Sequence, residues 1–136
     1  MRSGHDAEVV LGVDIGTTSA KAVACDASGI VHGRAERAYP VRGPGPGHAV
    51  QDPLEVLDAV LRVAPEACPP GARVAGVALS GAMHSLVGLD GDGRPLTPLL
   101  TWADTRAAAQ AERLREQRPE LHARTGTPLH AMAPLA

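Results

Sequence analysis

Asp14 closes an apolar run and is followed by Ile15-Gly16-Thr17-Thr18-Ser19. A carboxylate at a strand end can hold a divalent cation directly or through water. A glycine beside it lets backbone approach a phosphate, and successive backbone N–H groups with Thr and Ser hydroxyls supply donors. That combination suits a phosphate and its Mg²⁺. It does so without a P-loop, since no G-x-x-x-x-G-K-[ST] occurs in the chain. A plain hairpin turn with polar tips would use the same residue types. The apolar runs on both sides, within VVLGVDIGTTSAKAVACD, favour the phosphate reading.

Two further patches carry chemistry. Met83-His84 follows Ser80-Gly81-Ala82 at the carboxyl end of an apolar run, where open α/β sheets bind ligands. His84 could hydrogen-bond a polyol or a carboxylate, or serve as a satisfied, partly buried histidine. In Trp102-Ala103-Asp104-Thr105-Arg106 the only Trp precedes an acid and a base. Trp stacks on the apolar face of a sugar, and Arg pairs bidentately with a carboxylate of protein or substrate. The alternative is a core Trp with Asp104 capping a helix and pairing with Arg106. His5, His32, His48, His122 and His130 show no metal-ligand spacing and read as surface or loop residues. The charges from Glu112 to Arg118 read as a solvated helix face, and no Ser-His-Asp or Cys-His arrangement can be argued.

These residues need elements to position them. Residues 8–14, 20–26 and 30–37 read as three strands with short connections, hence an antiparallel meander. Residues 40–53, crowded with Pro and Gly, read as a loop. Asp52-Pro53 starts a helix, with Asp as N-cap and Pro in the first turn. Its apolar positions 54, 56, 57, 60, 61 and 63–64 form a broad face suited to lying on a sheet, and Pro69-Pro70-Gly71 ends it. The continuous apolar run of 73–80 predicts a buried, central strand that could be parallel. A further strand is expected at 85–90, with a tight turn at 90–93, an extended piece at 99–102, a helix at 103–117 and a short helix at 119–124 stopped by Gly126. The tail carries no clear element. A meander, a crossover helix and a returning strand predict a mixed-sheet α/β domain.

The 136 residues suggest one domain at most. A formal charge of −2 gives no reason to expect nucleic acid or an anionic membrane as partner. One Trp, one Tyr and no Phe leave no stacking platform for bases and a core of Val, Leu and Ala. Lys21 is the only lysine. Cys25 and Cys68 form no C-x-x-C, which fits a reduced cytoplasmic compartment; Cys25 reads as a small apolar strand residue. MRSGHDAE has no apolar stretch of a leader, and no run is long enough to span a membrane.

Taken in order, GVDIGTTSAKAV, Met83-His84 and the Trp102 patch resemble the FGGY carbohydrate kinases. ALSGAMHSLVGLDGDGRPLTPLLTWADTR and ARTGTPLHAMAPL look most like the gluconate kinases of that family. The resemblance implies a ribonuclease H-like, actin-type ATPase fold of which residues 1–136 are an incomplete amino-terminal lobe, the second lobe lying beyond. It implies ATP and Mg²⁺, with Asp14 on the metal and Gly16, Thr17, Thr18, Ser19 and Lys21 along the phosphates. Met83, His84, Trp102, Asp104 and Arg106 would face a small sugar or sugar acid. The family's Glu-Gln-Asp-Pro is Val50-Gln51-Asp52-Pro53 here, so one carboxylate is missing while the helix start survives. The family's general base, an Asp, is expected beyond residue 136. The implied reaction is phosphorylation of gluconate to 6-phosphogluconate, with xylulose as an alternative substrate. A non-catalytic sugar- or nucleotide-binding module and an actin- or Hsp70-like assembly protein are the competing readings. No turnover is expected from these residues alone, and an exposed sheet edge is expected to favour association, a homodimer among the options.

Overall fold

The computed structural model describes residues 8–132. The expectations for residues 1–7, His5 included, and for the last four residues of the tail lie outside them. The described residues group into two compact units, one of residues up to 39 with 54–81, the other of 40–53 with 82 onward.

The first unit is built on alternation. Val9, Leu11 and Val13 are buried while the residues between them face outward, which makes β1 (Glu8–Ile15) a half-buried strand. Ala20, Ala22 and Ala24 of β2 (Ser19–Cys25) are buried on the same face, directly across from Ile15, Val13 and Leu11. β3 (Val31–Ala38) adds antiparallel to β2. α1 (Pro53–Ala67) covers this face with Val56, Ala59, Val63 and Ala67. Alanines bury little area, so the valines and Leu11 supply most of the hydrophobic stabilisation, at roughly 1.5–3 kcal/mol for each full burial. The small side chains do allow close approach. A Cβ on Gly33 of β3 would lie 2.1 Å from the carbonyl oxygen of Ala67, so the last turn of α1 rests on bare backbone.

β5 (Arg73–Gly81) returns parallel to β1, giving the order β3-β2-β1-β5. The mixed sheet is the one expected, but two expectations are corrected. β5 is an edge strand among the described residues, not a central buried one: Val77 and Leu79 are 59% and 69% exposed. α1 lies over the strands on the other side of β1 and leaves this end of the sheet bare. The broad apolar face of α1 also divides: Val56, Ala59 and Val63 meet the sheet, while Leu54, Leu57 and Leu61 form an exposed stripe.

In the second unit, β4 (Val50–Gln51) pairs antiparallel with β6 (Leu99–Leu100). β4 lies inside the stretch expected to be loop only. No strand forms at 85–90; Leu86 bridges to Leu100 and Leu89 to Pro95 as isolated pairs. α2 (Ala108–Gln117) starts five residues later than expected: the backbone at 101–105 folds into turns tied to residues 47–49, with the Thr101 N–H on the Ala49 carbonyl and the Thr105 N–H on the Gly47 carbonyl. α3 (Glu120–Thr125) ends on Gly126 in the left-handed conformation, as the sequence predicts. Among the described residues no helix is long and apolar enough to cross a membrane, and Cys25 and Cys68 are free and half-buried.

Candidate functional site

Asp14 sits on the face of β1 opposite α1, near the end of the strand. Ser80 of β5 is its cross-strand partner, and the Ser80 hydroxyl donates to Asp14 Oδ1 at 2.6 Å. This fixes the carboxylate and leaves Oδ2 without a hydrogen-bond donor among the described residues. Beyond Asp14 the chain closes a tight turn in which the Gly16 N–H donates to the Ser19 carbonyl at 3.0 Å. That N–H, one of the donors the sequence offered for phosphate, is therefore committed to the turn. A Cβ on Gly16 would come within 3.1 Å of the same carbonyl, so the glycine keeps the turn tight.

Tyr39, at the end of β3, supports this turn from below. It is 5% exposed. Its hydroxyl donates to the Gly16 carbonyl at 2.7 Å, and its N–H donates to the Thr18 carbonyl at 3.0 Å. Burial first, and the Asp14 charge second, push the phenol above its ordinary pKa, so it stays a donor. Thr17 is half-buried and Thr18 exposed on the turn. Ser19 is buried, and its hydroxyl donates to Glu36 Oε1 at 2.7 Å. Lys21 is the cross-strand partner of Asp14, and its Nζ lies 3.8 Å from Glu36 Oε1.

Tyr39, Glu36 and Ser80 were not among the residues singled out from sequence. Tyr39 left one signal, as the lone Tyr directly after a strand. Ser80 left a general one, as part of the small-residue run at a strand's carboxyl end; Glu36 left none, because only the strand register places it beside Lys21.

In the second unit, Met83 is 75% exposed and His84 half-buried. His84 takes φ 62°, the one left-handed non-glycine backbone among the described residues. Such strain persists only where its surroundings hold it, and it concentrates at ligand sites. Leu86 and Leu100 exchange backbone hydrogen bonds at 2.9 and 2.7 Å, so positions 84 and 102 lie at the same end of that pairing. Trp102 is 46% exposed and does not plug a core.

Asp104 is 7% exposed and fully engaged. Its oxygens accept from the N–H groups of Ala49 (3.0 Å) and Arg106 (3.1 Å) and from the Arg106 guanidinium at 2.8–3.0 Å. The Arg106 hydrogen bonds, and then the backbone donors, hold its pKa well below the usual carboxylate range. Thr101 donates through its N–H and its hydroxyl to the Ala49 carbonyl, and Thr105 N–H donates to the Gly47 carbonyl. Gly47 has φ 73°, and a Cβ there would come within 2.9 Å of Thr105 Oγ1. The turn bearing Trp102 is thus laced to residues 47–49 by Thr101, Asp104 and Thr105 together. Phosphate-type and sugar-type residues fall in different units, and each group is brought together within its own.

A carboxylate with one open oxygen fits Mg²⁺, which binds through one or two carboxylates with water and substrate phosphates completing its shell. Among the described residues no three His, Cys, Asp or Glu side chains gather as a self-sufficient metal centre.

The profile of the FGGY family of carbohydrate kinases, N-terminal domain, matches residues 9–136. A gluconokinase of Bacillus subtilis is 40% identical over 131 residues, covering 93% of this chain and 26% of that protein. The crystal structure of gluconate kinase from Lactobacillus acidophilus superposes with a TM-score of 0.85 at 31% identity, covering 93% of this chain and 26% of that one. A ligand-bound xylulose kinase from the same organism gives the same TM-score and identity. The architecture is that of the actin-like, ribonuclease H-type ATPase fold these kinases share, and the chain spans about a quarter of the length of the curated relatives it matches.

Proposed function

We propose that this chain, which belongs to the FGGY family of carbohydrate kinases, forms the amino-terminal part of an ATP-dependent cytoplasmic kinase that phosphorylates gluconate. The observation that carries the reading is the Asp14 carboxylate. Ser80 holds one of its oxygens, the other has no hydrogen-bond donor among the described residues, and it stands at a glycine turn braced by Tyr39. Mg²⁺ would supply charge neutralisation on the nucleotide phosphates there. Asp14 would orient it, the Thr17 and Thr18 region would line the phosphates, and Lys21 would offset their charge. In the second unit His84 and Trp102 would hold the sugar acid, the imidazole by hydrogen bonding and the indole by stacking. Arg106 would face the substrate carboxylate, while Asp104 keeps that guanidinium in place. Positioning and charge neutralisation supply most of the acceleration in phosphoryl transfer. The proton acceptor for the sugar hydroxyl, an Asp by family resemblance, would come from outside these residues.

Gluconate is favoured over xylulose by the 40% identical gluconokinase. Xylulose remains the second reading because the xylulose kinase structure fits equally well. The test is a panel of gluconate, xylulose and glycerol offered to the protein expressed from the complete reading frame that carries this sequence, scored by kcat/KM. Gluconate should lead by at least tenfold, and Asp14→Asn should cut kcat by two orders of magnitude or more. A preference for xylulose overturns the substrate, and full activity of Asp14→Asn overturns the site.

A further inference from the structure

Four polar residues line up across the sheet on the face opposite α1. Ser80, Asp14, Lys21 and Glu36 are successive cross-strand partners on β5, β1, β2 and β3. Lys21 therefore stands between two carboxylates, each one strand away. Directly opposed side chains on a sheet lie about 4.5–5.5 Å apart at Cβ, so the ammonium can reach either. Its ion pair is with Glu36, at 3.8 Å. Glu36 is itself held, because the buried Ser19 hydroxyl donates to the same Oε1 at 2.7 Å. Among the described residues the hydrogen-bond partner of the Asp14 carboxylate is the neutral Ser80 hydroxyl.

We infer that Glu36 is a positioning residue whose charge draws Lys21 away from Asp14 and so keeps the open Asp14 oxygen available to a divalent cation. The inference rests on the reading of Asp14 as the cation-side carboxylate. An ammonium placed on Asp14 would compete with the cation for the same oxygen. A lysine one strand from a metal-binding carboxylate needs a second acid beyond it, and β3 supplies one in register. Ser19 then acts as the latch on that acid.

The test uses the protein from the complete reading frame and reads Mn²⁺·ATP binding by water-proton relaxation, with no turnover required. Glu36→Gln keeps an acceptor for Ser19 and removes only the charge. It should weaken Mn²⁺·ATP binding about two- to fivefold, the range an exposed ion pair commands. In a Lys21→Met background the same change should do nothing, since no ammonium is left to migrate. Glu36→Ala, which also releases Ser19, should show the same dependence on Lys21, which separates the electrostatic effect from any loss of local order. No weakening in Glu36→Gln, or tighter binding because Lys21 turns to phosphate, overturns the inference. Equal weakening with Lys21 absent overturns it too, because Glu36 would then act on the cation directly. Asp14→Asn separates the two claims: if it leaves Mn²⁺·ATP binding unchanged, the underlying site reading fails, whereas weakening there with an inert Glu36→Gln defeats only the role of Glu36.

Discussion

The hydroxyl of Tyr39 donates to the carbonyl of Gly16 at 2.7 Å, joining the end of β3 to the turn that follows Asp14. The bond crosses 23 residues of sequence and is part-buried, so water replaces it poorly. Tyr39→Phe should cost about 1 kcal/mol of stability, the usual net worth of such a bond. It should also loosen the turn, raising KM for ATP about three- to tenfold while KM for the sugar stays put. Steady-state kinetics with each substrate varied would check this, and equal shifts in both KM values would contradict it.

In the proposed site Ser80 would orient Asp14 as outer partners orient metal-binding carboxylates, where their loss costs about 10–100-fold. Ser80→Ala should therefore lower kcat/KM by about tenfold and raise the Mg²⁺ concentration needed for half-maximal rate. Ser80→Thr, which keeps the hydroxyl, should restore most of both. Mg²⁺ titrations of the rate for the two variants would decide.

Gly33 has no room for a side chain, since any Cβ meets the Ala67 carbonyl oxygen at 2.1 Å. Gly33→Ala must push α1 off β3 and should destabilise by about 3 kcal/mol, the upper end for overpacking. Denaturant unfolding of the protein from the complete reading frame would measure it. Gly29→Ala offers a contrast: it meets open space but strains a positive φ of 84°, at a cost of about 1 kcal/mol.

Asp104 gives the second unit an acid-sensitive fastening. Its folded-state pKa lies below the unfolded value, so its pairing stabilises fully above about pH 4, the ordinary Asp value. It is lost as pH falls through the depressed folded value. Trp102, two residues away and the only Trp in the chain, reports this locally. Its emission should hold steady from neutral pH to well below 4 and then shift. In Asp104→Asn it should already be shifted at pH 7 and change little on acidification.

The 136-residue chain by itself should consume no ATP in a sugar-dependent manner, and it should self-associate through the bare end of its sheet. Val77 and Leu79 on β5 and Leu57 and Leu61 on α1 are all more than half exposed, an apolar exposure that favours association. Sedimentation at increasing concentration should show a rising mean mass. A monodisperse, cooperatively melting monomer would contradict it.

What could be read from sequence was what is local. The alternation at Val9, Leu11 and Val13, the Asp52-Pro53 helix start and the Gly126 stop are short-range signals, and each leads to the element observed. The apolar run in β5 misled because it reports that a strand is made to be covered, not which residues cover it. Residues 85–90 misled because apolar side chains spaced like a strand can equally serve two single bridges. Within the candidate site, Asp14 and the turn residues stand out in the sequence by type. Glu36, Ser80 and Tyr39 act through register and through a long-range bond, and neither exists until the strands have paired.

β1 and β2 are the two interior strands of the four-stranded sheet, hydrogen-bonded on both edges. Asp14 and Lys21 thus sit on the backbone that opens least often, and their amide deuterium uptake should be among the slowest in the first unit. If nucleotide binds there as proposed, any give it demands would fall on the three residues between those strands. Gly16, Thr17 and Thr18 should be the ones whose exchange slows most when ATP is added.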